Sequence, residues 1–471
     1  MRDKRDLVAE ESRRRFLARL GGLALGASGA AVMLDGCGST AVDVARSPSS
    51  SAADWRLLSS PGAVASPRWD PTLGRRVVDV TSGRAGEEAR LGRERTSPVS
   101  LRNQMLALWL KLDADTAADV SYVVVKAGSG TVAFENVAYQ EILKTGGTAP
   151  SAAASYLLSV IKPGEWTRIT LGPPSFIGRL DTNIDPVDFD HVRDFEIAVA
   201  ANPGTEARYS FGGMDVIAGD PRFPHGVLSL TFDDGLAGPY QFARPVLERD
   251  NGRATAFIIR NLIEPPATNA SYLTLAQLHE LQARGWEIAA HADLLADHNA
   301  HLGFVSLPTK RVISDVEGEV AWLRSHGFNG SADIALPQGW FDQRVQDILV
   351  QYGRFQTIRT VDYRSVETLP VANPHRLRAR LYDHTEAIGP PGLPGSIMWQ
   401  IDEVARYGGW LILGFHNMVN RAESISTVPV INEGSAILDT DFAEIVAFAG
   451  QRGVPMRTIR QVWDSHPGQV T

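Results

Sequence analysis

The sequence predicts two architectures in series, a β-sandwich followed by an α/β domain built on parallel strands. Three observations carry this expectation. Between about Arg68 and Ala218, short apolar stretches are separated by Gly, Pro, Asp and Asn turns and show little helical period. From about Pro221 onward, apolar strands alternate with helical stretches, which is the pattern of parallel βαβ units. A small set of acids and histidines falls directly after those later strands, and a parallel barrel gathers such positions on one rim.

In the first region Leu106, Leu108, Leu110 and Leu112 alternate with Ala107, Trp109, Lys111 and Asp113, a period of two that defines a half-buried strand. Phe195, Ile197 and Val199 repeat it. Residues 77–80, 120–126, 167–171 and 209–211 are further strands at sandwich spacing. Trp109, on the outward face of its strand, is either a platform for a sugar ring or a side chain buried against the next domain. In the second region the expected strands are 227–232, 254–259, 286–290, 332–336, 355–359 and 410–415, with helices at 273–284, 310–326 and 341–352.

A chain of 471 residues exceeds one compact domain and has ample apolar content for two cores. Its net charge of -8 and pI near 5.8, with no basic stripe beyond the N-terminus, argue against a nucleic-acid partner. Ser12-Arg13-Arg14-Arg15-Phe16-Leu17 and the short apolar run from Leu20 to Leu34 read as a twin-arginine export signal. Cys37 is the single cysteine, so no intrachain disulfide forms. Its setting, Leu34-Asp35-Gly36-Cys37-Gly38, resembles a bacterial lipobox, which implies a lipid anchor at Cys37 and a place on the outer face of the cytoplasmic membrane or in the cell envelope. The expected division is signal 1–37, flexible tether 38–67, sandwich 68–218 as a candidate carbohydrate binder, and α/β domain 219–471. Nothing in the sequence predicts a protein partner.

The chemistry concentrates in Leu228-Ser229-Leu230-Thr231-Phe232-Asp233-Asp234-Gly235. Adjacent carboxylates disfavour each other's charge, so the pair makes sense where one holds a metal and the other handles a proton. The plainer reading is a solvated Asp-Gly turn. His291, Pro337 and His416 also follow expected strands. A carboxylate with two imidazoles suits a divalent transition metal, zinc foremost, and leaves positions open for water and substrate. The sequence around these residues leaves the second imidazole to be found.

Thr231-Phe232-Asp233-Asp234-Gly235 resembles the first motif of the polysaccharide deacetylases, carbohydrate esterases that remove N-acetyl groups from sugar polymers; the resemblance spans about Gly226 to Trp463. It implies a distorted, incomplete (β/α) barrel, Asp233 as general base and Asp234 as metal ligand. The second family motif places two metal-binding histidines four positions apart. Gly285-Trp286-Glu287-Ile288-Ala289-Ala290-His291 resembles its first half, but Leu295 stands at the second position and the next histidines are His298 and His301. Seven residues along a straight helix span about 10 Å, too far for one ion. His298 therefore completes the site only if residues 292–297 form a loop, with His301 second, and Asp293 or water as the remaining choice. The third motif has an arginine that orients the base, followed by two prolines, an aromatic and glycine; Ala335-Leu336-Pro337-Gln338-Gly339-Trp340 retains one proline and the glycine and lacks the arginine, so either Arg359 after the next strand orients the base or the activity is altered or reduced. Leu411-Ile412-Leu413-Gly414-Phe415-His416-Asn417 resembles the last motif, an apolar strand ending in Leu-x-His, and implies His416 as general acid, with Asp362 where an acid tunes it. The leading expectation is an exported, lipid-anchored, metal-dependent deacetylase acting on an N-acetylated glycan. The alternatives are a degenerate glycan-binding lipoprotein, and a related hydrolase of a non-polysaccharide amide or ester.

Overall fold

The computed structural model describes residues 52–465 except 59, 85–87, 130–136, 145–160, 177–186, 265–270, 362–365, 383–387 and 421–435. The expected signal, Cys37, the tether as far as residue 51 and Asp362 lie outside the described residues.

Ten strands form two five-stranded antiparallel sheets. They are β1 Arg56–Leu57, β2 Val64–Asp70, β3 Arg75–Thr81, β4 Glu88–Val99, β5 Gln104–Leu112, β6 Val120–Gly128, β7 Val137–Lys144, β8 Thr167–Leu171, β9 Val192–Ala201 and β10 Arg208–Ala218. The sheet orders are β1-β4-β9-β6-β7 and β2-β3-β10-β5-β8. Leu106, Leu108, Leu110 and Leu112 of β5 meet Leu91, Val123, Ile197 and Val199 of the other sheet in one apolar cluster, so the period-two pattern marks the buried face as expected. Trp109 is half-buried. Residues 52–67 depart from the expected tether: Ala52 and Trp55 are buried, the Trp55 ring meets Phe211 edge-on at 4.7 Å, and β1 and the start of β2 are already in the sheets. The charged and small residues there concealed an edge strand whose apolar contacts come from distant segments.

The second region is a parallel sheet of β11 Val227–Phe232, β12 Ala254–Ile259, β13 Glu287–Ala292, β15 Gly330–Ala335, β16 Thr357–Arg359, β17 Arg380–Leu381 and β18 Trp410–Phe415, in the order β16-β15-β13-β12-β11-β18-β17; a short strand, β14 His301–Phe304, stands apart from it. Its two edges approach each other through one segment. Leu377 pairs with Arg359 in a parallel bridge, Leu377 N–H donates to Ile358 O at 2.9 Å, and Arg380 and Leu381 pair with Leu413 and Gly414. The sheet thus curls into a distorted, thinly closed barrel.

Every residue of β11, β12 and β18 is buried, as expected of parallel strands covered on both faces. Leu228, Leu230 and Phe232 point to the outer helical layer, where Phe232 stacks on Trp286 at 5.6 Å. The opposite parity fills the interior in layers. At the bottom Thr255 donates to Glu287, Thr357 donates to Asp333, and Arg460 pairs with Asp333. Burial foremost, then the neighbouring Asp333, raises the Glu287 carboxyl well above its ordinary value. Above lie Phe257, Ala289, Ala335 and Ile412. This apolar floor separates the lower polar layer from the rim.

Candidate active site

At the end of β11 the chain reverses through two left-handed residues, Asp234 at φ 70° and Gly235 at φ 73°. Aspartate tolerates this region better than most side chains and glycine enters it freely, so the Asp-Asp-Gly order suits the turn. The turn also separates the two carboxylates. Asp233 N–H donates to Phe415 O at 2.8 Å, which ties the first acid to β18.

Asp233 Oδ2 accepts from Arg359 Nη2 at 2.6 Å, and each residue is 2% exposed. The guanidinium lies over the Phe257 ring, 5.1 Å from its centre. Asp233 Oδ1 is buried and has no hydrogen-bond partner among the described residues. The arginine arrives from the substitute strand for a visible reason. Ala335 of β15 and Arg359 of β16 are paired in register, so a guanidinium from position 359 enters the same interior layer as one from position 335. It passes over Gly414, where the expected Leu-x-His pattern has leucine; an ideal Cβ there would stand 2.9 Å from Arg359 Nη1. The glycine at 414 is a departure that the sequence shows, whereas its relation to residue 359 was not legible before the strands were placed.

Asp234 faces the other way. Its Oδ1 lies 3.5 Å from His291 Nε2 and 3.4 Å from His298 Nε2, and the two Nε2 atoms are 3.1 Å apart. The ladder with β12 skips His291, pairing Ala290 with Ile258 and Ala292 with Ile259; a bulge of this kind re-aims a side chain. His298 ends a single helical turn, Leu295–His298, that follows β13 after two residues. Residues 292–297 are therefore a strand end, a bend and a turn rather than a loop throughout, and the separation of seven is bridged by chain reversal. His301 is exposed at the start of β14 and stands outside this group, and Asp293 is engaged by Arg260, with Nη2 to Oδ2 at 3.0 Å.

The hydrogen bonds also set the imidazole tautomers. His291 Nδ1 donates to Ala335 O and His298 Nδ1 donates to Asn299 Oδ1, each at 2.8 Å. In neutral rings so bonded each Nε2 carries the lone pair, and two lone pairs facing one carboxylate repel unless a cation lies among them. Burial foremost, and then His298, pushes His291 down to about 4, which keeps it neutral. Three donors about 3.3 Å apart are what a tetrahedral ion with bonds near 2.05 Å demands, so the buried Asp234, His291 and His298 fit a divalent metal.

A cavity of about 420 Å³ joins Asp233, His291, His298, Arg359 and His416. His416 lines it with Nδ1 buried and without a hydrogen-bond partner among the described residues.

Residues 220–356 match the polysaccharide deacetylase family. By that match this part of the chain is similar to a polysaccharide deacetylase domain. The matched segment of the domain holds both aspartates, His291 and His298, while Arg359 and His416 lie beyond its end. Among solved structures, the deacetylase domain of BpsB from Bordetella bronchiseptica is 22% identical over 32% of this chain and 69% of that one, with a TM-score of 0.28. The peptidoglycan deacetylase PdaC from Bacillus subtilis is 14% identical over 52% and 92%, with a TM-score of 0.30. A family 4 carbohydrate esterase from Streptomyces lividans, in complex with acetate, is 15% identical over 49% and 91%, with a TM-score of 0.30. No curated protein matches the chain.

Proposed function

We propose that the protein removes N-acetyl groups from a glycan by metal-assisted hydrolysis, with Asp234, His291 and His298 holding the metal. The observation that carries this reading is the division of labour between adjacent acids: Asp234 faces the Nε2 atoms of two imidazoles, while Asp233 is held apart on Arg359. A bound divalent cation supplies polarisation of the acetamide carbonyl and a lowered pKa for water. Asp233 takes the proton of the attacking water at Oδ1, with Oδ2 kept on the guanidinium. His416 has Nδ1 buried, so Nε2 is the nitrogen that protonates the departing amine.

The degenerate-binder alternative drew on the missing arginine and the stretched histidine spacing. Arg359 and His298 answer both, which favours turnover. Zinc as the ion, export by the twin-arginine route, lipid anchoring at Cys37, a division near residue 218 and a sugar-binding role for the sandwich belong to the same proposal, as does the choice of a glycan over a smaller amide or ester. Acetate release from N-acetylated oligosaccharides is the test. The rate is expected to vanish with EDTA, return with zinc, and be lost in Asp234→Ala; release that persists through chelation, or a fully active Asp234→Ala protein, rejects the mechanism.

A further inference from the structure

His298 reaches the site on a segment that no sheet holds, so its position depends on side chains from elsewhere. The start of the segment is fixed by Asp315, whose carboxylate accepts from Asp293 N–H and Leu294 N–H at 2.9 and 3.1 Å, and by Asn261 Oδ1, which accepts from Leu295 N–H at 2.8 Å. The end of the segment is fixed from the third-motif turn. Gln338 Nε2 donates to the carbonyls of His298 and Ala300 at 3.1 and 3.0 Å. The carbonyl of His298 is one that the end of a helical turn leaves unpaired, so this bond is also a cap.

Gln338 adopts φ 55° and ψ 10°, a left-handed conformation. A residue other than glycine stays there only where its surroundings over-determine it. The two hydrogen bonds do so, together with close packing: an ideal Cβ on Gly303, just past the segment, would stand 2.5 Å from Pro337 O. The glutamine occupies the position between Pro337 and Gly339 where the family resemblance leads one to expect an aromatic. Two departures from the motif, a second imidazole seven positions on and a glutamine in the turn, are thus in contact.

We propose that Gln338 is a positioning residue for His298, strapping its backbone so that Nε2 faces His291 and Asp234. The inference rests on the metal-centre reading given above. The test uses the full chain, with zinc affinity measured by competition against a chromophoric chelator and ligand geometry read from the visible spectrum of the cobalt-loaded protein. Gln338→Glu sets acceptor oxygens against two carbonyls, whereas Gln338→Gly deletes the donors and relieves the left-handed backbone. Both are expected to weaken zinc binding roughly 10- to 100-fold and to alter the cobalt spectrum, while the melting temperature of metal-free Gln338→Gly stays near that of the unaltered protein. Unchanged zinc affinity in both variants overturns the strap, as does a lowered melting temperature with an unmoved cobalt spectrum. His298→Ala separates the two readings: zinc binding that survives it rejects the metal centre, whereas zinc lost there and retained in both Gln338 variants rejects the strap alone.

Discussion

Asp233 and Arg359 form a fully buried ion pair, 2.6 Å apart, in which the arginine holds one carboxylate oxygen and leaves the other without a hydrogen-bond partner among the described residues. Removing one member of such a pair strands the other charge, so Arg359→Ala is expected to cost about 3–5 kcal/mol in urea unfolding and roughly 100-fold in acetate release. The register of β15 against β16 adds a sharper expectation. An arginine moved to position 335 in the Ala335→Arg, Arg359→Ala double variant enters the same layer and recovers part of the rate; no recovery contradicts the positional exchange. His291 provides a pH signature in chelator-treated protein. Its folded form titrates at about 4 rather than its ordinary 6.5, with burial as the main cause, so between these values the unfolded chain binds the proton and the folded chain does not. Stability therefore falls as pH drops from 6.5 to 4, with no further loss from this group below that, and His291→Asn flattens this part of the curve in denaturant titrations across the window.

The elements impose their own conditions. β18 brings Gly414 beside Leu381 and Arg359, and an ideal Cβ at 414 would lie 2.3 Å from Leu381 Cδ2 and 2.9 Å from the guanidinium. Gly414→Ala is expected to destabilise by about 1–3 kcal/mol through overpacking and to lower activity by pushing Arg359 off Asp233. Equal unfolding midpoints and rates for the two proteins would show that the strand has room to spare. β11, β12 and β18 run over the residues expected from their apolar runs, because a strand buried on both faces leaves an unbroken hydrophobic record. The edge strand β1 leaves none, since two residues with one half-buried side chain carry too little pattern.

Across the whole molecule the sandwich and barrel interlock. Tyr407, from a helix of the barrel region, is buried in the sandwich cluster with its ring 5.7 Å from Phe189, and Asn103 N–H donates to its carbonyl at 3.0 Å. Ser175 Oγ donates to Val366 O at 3.0 Å and Thr170 meets Thr368 at 2.5 Å, both buried. Calorimetry of the full chain is expected to show one cooperative transition. Tyr407→Ala, which empties an aromatic site in the shared core, should lower stability by about 3 kcal/mol and separate the transition into two; a single undivided transition in that variant would mean that the polar contacts alone couple the halves.

Contiguous residues were enough to place most strands of the parallel sheet, to mark Asp233, Asp234, His291 and His416 at their ends, and to name Arg359 as a substitute, because hydrophobic period and strand termination are local properties. The helical turn that carries His298, preferred over His301 from the sequence, to His291, the pairing of Arg359 with Asp233 across 126 residues, the space at Gly414 and the hold of Gln338 on the His298 turn came from the fold. These depend on strand neighbours, on register and on the direction in which the chain turns after β13. No window of sequence encodes them, since each is settled by packing between segments that meet only when the barrel closes.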